Sequence, residues 1–240
     1  MVSLVTFSPA YAQFSGVRTI GYVGCSNTQD AMIGYQSVVT NVTQKKFWNP
    51  YPTVGGTLDR WADNSTNKNT AMTYWAEYSQ QIVTYGQPSI VWIQICEDTK
   101  VQVTPTMVSQ VLDILRTLSR NAIFYISPLN TYSPVGFCSI TGPNGVQDAT
   151  TLTNQAVSEV LALQGPILGP LDSQTTISDG CHANAAGRQL LGTQLQAFFN
   201  DTPLQQSNPV PELNGIAMVV FSALGASVYI LRKRVNQNLE

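Results

Sequence analysis

The residues with the clearest chemical potential are Asp179 and His182, which stand three positions apart in a glycine-containing turn before an apolar helical pattern. His182 is the only histidine in the chain. An acid at this spacing can orient the imidazole and stabilise its protonated form, as in hydrolases whose histidine acts as a general base. The alternative for a lone histidine is a surface residue or a satisfied core residue. The catalytic interpretation requires a nucleophile elsewhere in the chain.

Ser26 is the candidate nucleophile. It follows a segment rich in strand-forming residues, 17–23, and stands where a helical pattern begins. A serine on such a strand-to-helix turn can project its hydroxyl into the cleft, and its own N–H can point at a developing oxyanion. A simple helix cap is the alternative role. Together with Asp179 and His182, however, Ser26 supplies the nucleophile that a base and an orienting acid require.

The elements that position these residues alternate along the chain. Segments rich in apolar residues indicate strands at residues 17–23, 89–95, 122–126 and 166–171. Helical spacing of apolar residues predicts helices at residues 27–40, 70–85, 105–118, 151–163 and 184–199. This alternation predicts an α/β fold in which helices cover both faces of a mostly parallel sheet. Ligands bind such sheets beyond the carboxyl ends of the strands, so the residues leaving strand ends are the candidates for chemistry.

Two of these strand ends resemble the motifs of SGNH (GDSL-type) serine hydrolases. The segment Gly-Cys-Ser-Asn-Thr at residues 24–28 is similar to the family's first block, usually Gly-Asp-Ser followed by a polar residue and Thr or Ser. The segment Asp-Gly-Cys-His-Ala-Asn-Ala-Ala-Gly at residues 179–187 is similar to the last block, Asp-x-x-His-Pro-Asn-x-x-Gly, with Ala183 in place of proline. The resemblance spans roughly residues 18–199. It implies a flavodoxin-like three-layer sandwich with a mostly parallel five-stranded sheet.

The resemblance also implies an esterase that removes acyl groups and uses no cofactor. Ser26 would be the nucleophile, His182 the base and Asp179 the residue that orients it. Small esters or acylated surface glycans would be the substrates. The alternative is a catalytically impaired domain that binds glycans or has a structural role. The aromatic segment at residues 47–51 is a candidate sugar-stacking surface or a packed loop.

The same resemblance implies three contributors to the oxyanion hole. The N–H of Ser26 is the first, and the Val-Gly-Gly-Thr segment, which falls where the family's second block supplies a glycine, indicates Gly56 as the next. The family's third block, Gly-x-Asn-Asp, supplies an asparagine, but here the segment Cys-Glu-Asp-Thr puts Asp98 at that position. Because an ionised carboxylate repels an oxyanion, either burial keeps Asp98 protonated or another donor such as Asn130 replaces it.

The four cysteines are widely spaced and form no close pair of the kind that binds zinc, so we expect no metal. Disulfides are the better interpretation if the chain is exported. The family's sheet places the strands before Cys25 and Cys96 side by side, which implies the pairs Cys25–Cys96 and Cys138–Cys181. Cys25 as a thiol nucleophile is the competing interpretation.

The beginning of the chain reads as a truncated signal peptide at residues 1–12. The apolar run ends in Ala-Tyr-Ala, which fits a signal-peptidase site, although no basic residue precedes Arg18. A first buried strand is the alternative. The hydrolase domain would then comprise residues 13–201, followed by a linker rich in Pro, Gln and Asn at residues 202–214.

The end of the chain predicts a membrane anchor. Residues 215–231 are uncharged and apolar, and the tail at residues 232–240 begins with three basic residues, which predicts a transmembrane helix with a cytoplasmic C-terminus. The Pro-Glu pair, apolar run and basic tail resemble PEF-type sorting signals of archaeal surface proteins, with Leu213 at the usual phenylalanine position. This implies cleavage by a sortase-like membrane enzyme. A permanent single-pass anchor is the alternative.

The domain is therefore expected on the extracellular face. That placement makes the sequons at Asn41, Asn64 and Asn200 candidate glycan acceptors. The net charge of −2 and the absence of a basic stripe argue against nucleic acid as a partner.

Overall fold

A computed structural model of the protein describes residues 18–135 and 137–201. Its centre is a parallel sheet of four strands in the order β1-β2-β3-β4. The strands are β1 (Ile20–Val23), β2 (Ile90–Gln94), β3 (Ile123–Ser127) and β4 (Leu163–Gln164). All residues of β1 and β2 are buried, which accounts for the lack of polar alternation in these segments.

Six α-helices and one short 3-10 helix are found in the described part of the chain. The α-helices are α1 (Ser26–Val38), α2 (Leu58–Ala62), α3 (Tyr74–Tyr85), α4 (Pro105–Leu118), α5 (Gly145–Ser158) and α6 (Ala185–Asp201), and the 3-10 helix is Val42–Gln44. Threonine side chains cap α3 and α4, where Thr73 and Thr104 accept hydrogen bonds from Ala76 and Met107. The fold is therefore α/β, as the sequence predicts.

Helices pack on both faces of the sheet. Successive residues of a strand face opposite sides, so each strand contributes side chains to both packing layers. On one face, Tyr125 of β3 contacts Phe199 of α6 with ring centroids 5.7 Å apart. On the other, Gly21 of β1 lies against Trp48, whose ring is 5.2 Å from that of Tyr78 in α3. The core is accordingly rich in aromatic side chains from the sheet and from both helical layers.

The family resemblance implies five strands, but the described residues form four. Beside β1, Phe47 makes a single parallel bridge with Ile20, and Trp48 N–H donates to the carbonyl of Ile20 at 3.0 Å. In a parallel ladder the next donor along that edge would be residue 50, which is a proline and has no N–H. The fifth strand is thus reduced to one bridged residue.

Two further elements differ most from their predicted bounds. The strand predicted at residues 166–171 is not formed, and pairing at that edge of the sheet consists of the two residues of β4 and an isolated bridge between Tyr132 and Leu171. The helix predicted at residues 151–163 begins six residues earlier and ends at Ser158. The predicted signal peptide at residues 1–12 and the predicted linker, membrane helix and tail at residues 202–240 lie outside the described residues. Among the residues that the structure does describe, no helix has the length and apolarity needed to cross a membrane.

The helices α1 and α6 pack in backbone contact. A Cβ atom on Gly34 would collide with the carbonyl oxygen of Arg188, and one on Gly192 would collide with the backbone of Gly34 and Tyr35. Only glycine permits this approach. The contact brings the start of α1, which carries Ser26, next to the start of α6, which follows His182.

Candidate active site

Ser26, His182 and Asp179 form one hydrogen-bonded chain. The Oγ of Ser26 lies 2.8 Å from Nε2 of His182, across 156 residues of sequence. On the other side of the ring, Nδ1 of His182 lies 2.5 Å from Oδ2 of Asp179. Because a carboxylate can only accept, Nδ1 carries a proton, which leaves Nε2 of the neutral ring free to accept one from Ser26. The structure therefore brings together all three residues predicted as the triad.

The backbone around Ser26 is fixed by a side chain of α1 itself and by side chains from two other segments. Ser26 is the first residue of α1, and the N–H of the preceding Cys25 donates to Oγ1 of Thr28 at 2.9 Å. The carbonyl of Cys25 accepts from Oγ1 of Thr53, and that of Gly24 accepts from Nε1 of Trp61, both at 2.9 Å. Such a turn holds the hydroxyl in one direction and keeps the helix N-terminus beside it.

A single carboxylate organises the turn that carries the histidine. While Oδ2 of Asp179 binds the imidazole, Oδ1 accepts the N–H groups of Cys181 at 2.9 Å and of His182 at 3.0 Å. Gly180 within this turn has φ +68°, a conformation that favours glycine. Partial burial works to raise the pKa of Asp179, but the hydrogen bonds from His182 and Cys181 outweigh it and the pKa is lowered. Asp179 is therefore held as an ionised acceptor for the ring.

Two disulfides brace these turns, one at the residue before Ser26 and one at the residue before His182. Cys25, directly before Ser26, is bonded to Cys96, and Cys181, directly before His182, is bonded to Cys138. This is the pairing that the family resemblance implies. Because Cys25 is disulfide-bonded, it has no free thiol to act as the nucleophile in this structure.

Neither Gly56 nor Asp98 supplies the expected oxyanion contact. The N–H of Gly56 donates to the carbonyl of Thr53 at 2.9 Å, closing a turn. A Cβ atom at this position would lie 2.5 Å from the carbonyl oxygen of Gly24, so glycine is needed here for close packing under the nucleophile turn. The carboxylate of Asp98 accepts the N–H of Lys100 at 2.8 Å and so caps its own loop. Both residues have structural partners instead.

Asn130 carries a buried side-chain amide that lacks a hydrogen-bond partner. Its side chain is fully buried, its Oδ1 accepts from Nε2 of Gln94 at 2.8 Å, and its Nδ2 has no hydrogen-bond partner. Gln94 in turn accepts from Thr28 at 2.7 Å, and Thr28 holds the N–H of Cys25. The unpaired amide is therefore two side chains away from the turn of the nucleophile.

Gln94 is a residue whose role the sequence interpretation missed. It is the one polar residue in the apolar run of β2. It is fully buried and connects Thr28 of α1 to Asn130 beyond β3. The signal available in the sequence was the polar side chain itself, because a buried amide in an apolar strand needs specific partners.

The other predicted sites lie apart from this arrangement. Phe47, Trp48 and Tyr51 of the aromatic segment are buried, so that segment is a packed loop and offers no rings for stacking on a sugar. The three sequon asparagines, Asn41, Asn64 and Asn200, are exposed. Across the described residues, no group of three or more His, Cys, Asp or Glu side chains is arranged to hold a metal ion.

Comparison with known proteins supports the fold alone. No protein-family model matches the chain, and no curated protein matches it. A crystal structure similar to this chain superposes with a TM-score of 0.51 at 11% sequence identity, over 78% of this chain and 97% of the other. At that identity the likeness extends to the α/β architecture and carries no information about activity.

Proposed function

We propose that this protein is a serine hydrolase of the SGNH type that cleaves acyl esters. The observation that carries the proposal is the continuous chain from Ser26 Oγ through His182 to Asp179, with distances of 2.8 and 2.5 Å. These are hydrogen-bond distances for a nucleophile, a base and an orienting acid. The three groups come from two segments that are separated by most of the domain.

The proposed reaction proceeds in two halves. Ser26 Oγ attacks the ester carbonyl while Nε2 of His182 takes the hydroxyl proton, and the protonated imidazole then gives that proton to the departing alcohol. Water attacks the resulting acyl-enzyme with His182 again as the base, which releases the carboxylic acid and restores Ser26. Asp179 holds the ring in the required tautomer and stabilises its charge throughout.

Two donors stabilise the oxyanion in this scheme. The N–H of Ser26 is at the N-terminus of α1, where backbone N–H groups lack partners within the helix and the dipole favours negative charge. The second is Nδ2 of Asn130, which is buried and unpaired. Asn130 would take the part that the family resemblance gives to the residue at position 98.

The setting of this activity is proposed to be the extracellular face of a membrane. The two disulfides fit an oxidising environment. Residues 215–231 would form the membrane anchor, with a sortase-like enzyme as a possible processing partner. Small esters or acylated surface glycans within reach of the tethered domain would be the substrates.

The experiment is labelling by a fluorophosphonate, which reacts with an activated serine. We expect the wild-type protein to be labelled, S26A to lose labelling completely, and H182A to lose at least a hundredfold in rate, since the base is removed. S158A, which changes an exposed helical serine, is the matched control and should label as the wild type does. Equal labelling of S26A and wild type would refute the proposal.

A catalytically impaired binding domain is the second candidate. It is favoured by the structural use of the Gly56 N–H and by the carboxylate of Asp98, which together remove two expected contributors to the oxyanion hole. On this reading the wild-type protein fails to react with the fluorophosphonate and retains specific binding on a panel of surface glycans. Labelling at Ser26 decides for the enzyme.

A further inference from the structure

Asp30 lies one helical turn after Ser26 on α1 and is only 5% exposed. Its two carboxylate oxygens have different partners. Oδ1 pairs with the guanidinium of Arg188 on α6 at 2.8 Å, and Oδ2 accepts the backbone N–H of Ala183 at 3.0 Å. Ala183 directly follows His182 in the chain. One side chain therefore links the helix of the nucleophile to the turn of the base.

Few other polar contacts connect these two segments. The carbonyl of His182 accepts from Ile177, and the N–H of Asn184 donates to Thr175, so the backbone of the turn is otherwise tied to the residues just before it. Tyr132 donates to the carbonyl of Cys181 at 3.0 Å from a third segment. The hydroxyl of Tyr132 also lies 3.4 Å from Oδ1 of Asn27 and so bridges α1 and the turn indirectly. In the described part of the chain, Asp30 makes the direct hydrogen bonds from α1 to the histidine turn and to α6, apart from the contact between Ser26 and His182.

Burying the Asp30 carboxylate has a desolvation cost, which argues that this contact has a role beyond stability. Burial raises the pKa of Asp30, although Arg188, the N–H of Ala183 and His182 all oppose that rise. The Arg188 side chain is 40% exposed, so the desolvation cost falls on the Asp30 carboxylate alone. A buried carboxylate with partners on two other segments fixes one arrangement of those segments. In addition, Ala183 stands where the motif of the similar family has proline, which has no N–H to donate. The contact is thus a property of this chain.

We propose that Asp30 is a positioning residue that holds Nε2 of His182 within proton-transfer distance of Ser26 Oγ. It acts through the Ala183 N–H on the histidine turn and through Arg188 on α6. This inference rests on the proposed function, because positioning matters only if Ser26 is a nucleophile. The contact itself, however, is measurable without catalysis.

The kinetic test compares D30A and D30N with the wild-type protein on p-nitrophenyl acetate. A base displaced by about 1 Å costs on the order of a hundredfold in rate, so D30A should lose roughly ten- to a hundredfold in kcat with little change in KM. D30N keeps the shape of the side chain and one acceptor oxygen, so its kcat should lie between those of D30A and the wild type. D113N, which removes an exposed ion pair with Arg116 on α4, is the matched control and should keep the wild-type kcat.

The second readout uses the fact that His182 is the only histidine in the chain, so a protein without a histidine tag gives one set of imidazole NMR signals. The charged or titratable groups facing this turn are Asp179, Asp30 and Arg188, with the phenol of Tyr132 nearby. Loss of the Asp30 contact should change the chemical shifts of these signals, because the ring moves relative to Ser26 and Asp179.

The outcomes separate the two proposals. A wild-type protein that neither hydrolyses the ester nor labels at Ser26 refutes the proposed function, whatever Asp30 does. An active wild-type protein with D30A and D30N unchanged in kcat and in the imidazole spectrum refutes the positioning role alone. A fall in kcat together with changed imidazole chemical shifts supports it. If D30A does not fold, D30N carries the test, because its packing is preserved.

Discussion

At the scale of the residue, Asn130 has an unpaired amide at the end of the hydrogen-bond network that reaches the Ser26 turn. A buried amide N–H without an acceptor costs roughly 1–3 kcal/mol, and such groups are rare in folded proteins. Nδ2 of Asn130 is one, while its Oδ1 is held by Gln94. An oxyanion bound during the reaction would supply the missing acceptor only in the transition state, where a hydrogen bond accelerates the chemistry.

We therefore predict that N130A lowers kcat about a hundred- to a thousandfold and leaves KM nearly unchanged, as measured by steady-state ester hydrolysis. N130D retains an acceptor for Gln94 but no amide donor, so it should lose as much. The control is N144A, which changes an exposed asparagine whose side chain makes no capping hydrogen bond. An N130D enzyme with the wild-type kcat would exclude Asn130 from the oxyanion hole.

The difference between Ser26 and Gly56 shows what a sequence can predict at this scale. Ser26, Asp179 and His182 occur in two short segments whose residue types fix their roles, so the triad could be predicted. Whether the N–H of Gly56 is free depends instead on the backbone of the turn that begins at Thr53, and residue type does not encode this. The same holds for the direction of the Asp98 carboxylate.

At the scale of the element, the contact between α1 and α6 sets the relative position of Ser26 and His182. Gly34 and Gly192 permit backbone contact, and Asp30 and Arg188 pair one turn nearer the site. In an ordinary helix, replacing glycine with alanine stabilises by about 1 kcal/mol. At Gly34 the new methyl group meets the Arg188 carbonyl, so the expected sign is reversed.

We predict that G34A destabilises the protein by about 1–3 kcal/mol and slows fluorophosphonate labelling, because the helices must separate to admit the methyl group. Q110A, an exposed change to alanine on α4, serves as the comparison. Thermal unfolding and labelling rate are the two measurements. A G34A protein as stable as the wild type would mean that the two helices separate freely.

Helices and strands could be predicted where the hydrophobic pattern was long and burial in the core determined the element. The apolar run of β2 and the helical spacing of α4 predict both elements nearly to their ends. By contrast, α2 is five residues long and too short to show a period. The fifth strand is lost because Pro50 falls where β1 would need an N–H donor. That depends on the register between Phe47 and Ile20, which no local sequence pattern shows.

At the scale of the whole molecule, stability against pH is the sum over groups whose pKa differs between the folded and unfolded chain. The hydrogen bonds at Asp179 lower its pKa against the effect of burial, so its contribution is present above the unfolded pKa and is lost as the pH falls through the folded one. Glu97 behaves in the opposite way. It is 8% exposed and its Oε2 has no partner. Burial and the carboxylates of Asp148 and Asp98 raise its pKa from 4.5 to about 7.

A raised carboxyl pKa means that the folded protein prefers the protonated acid. The contribution of Glu97 is therefore complete below pH 4.5 and is lost as the pH rises through about 7. We predict that E97Q, which cannot ionise, has nearly the wild-type Tm at pH 5 and a higher Tm than the wild type at pH 8. E159Q, at an exposed glutamate, should show no such divergence. If the Tm of E97Q and of the wild type change in parallel from pH 5 to pH 8, Glu97 is either solvated or paired, and the cost of its ionisation is absent. Glu97 directly follows Cys96, and Cys96 is disulfide-bonded to Cys25, the residue before Ser26. Ionisation of Glu97 therefore places a charge in the loop that braces the Ser26 turn.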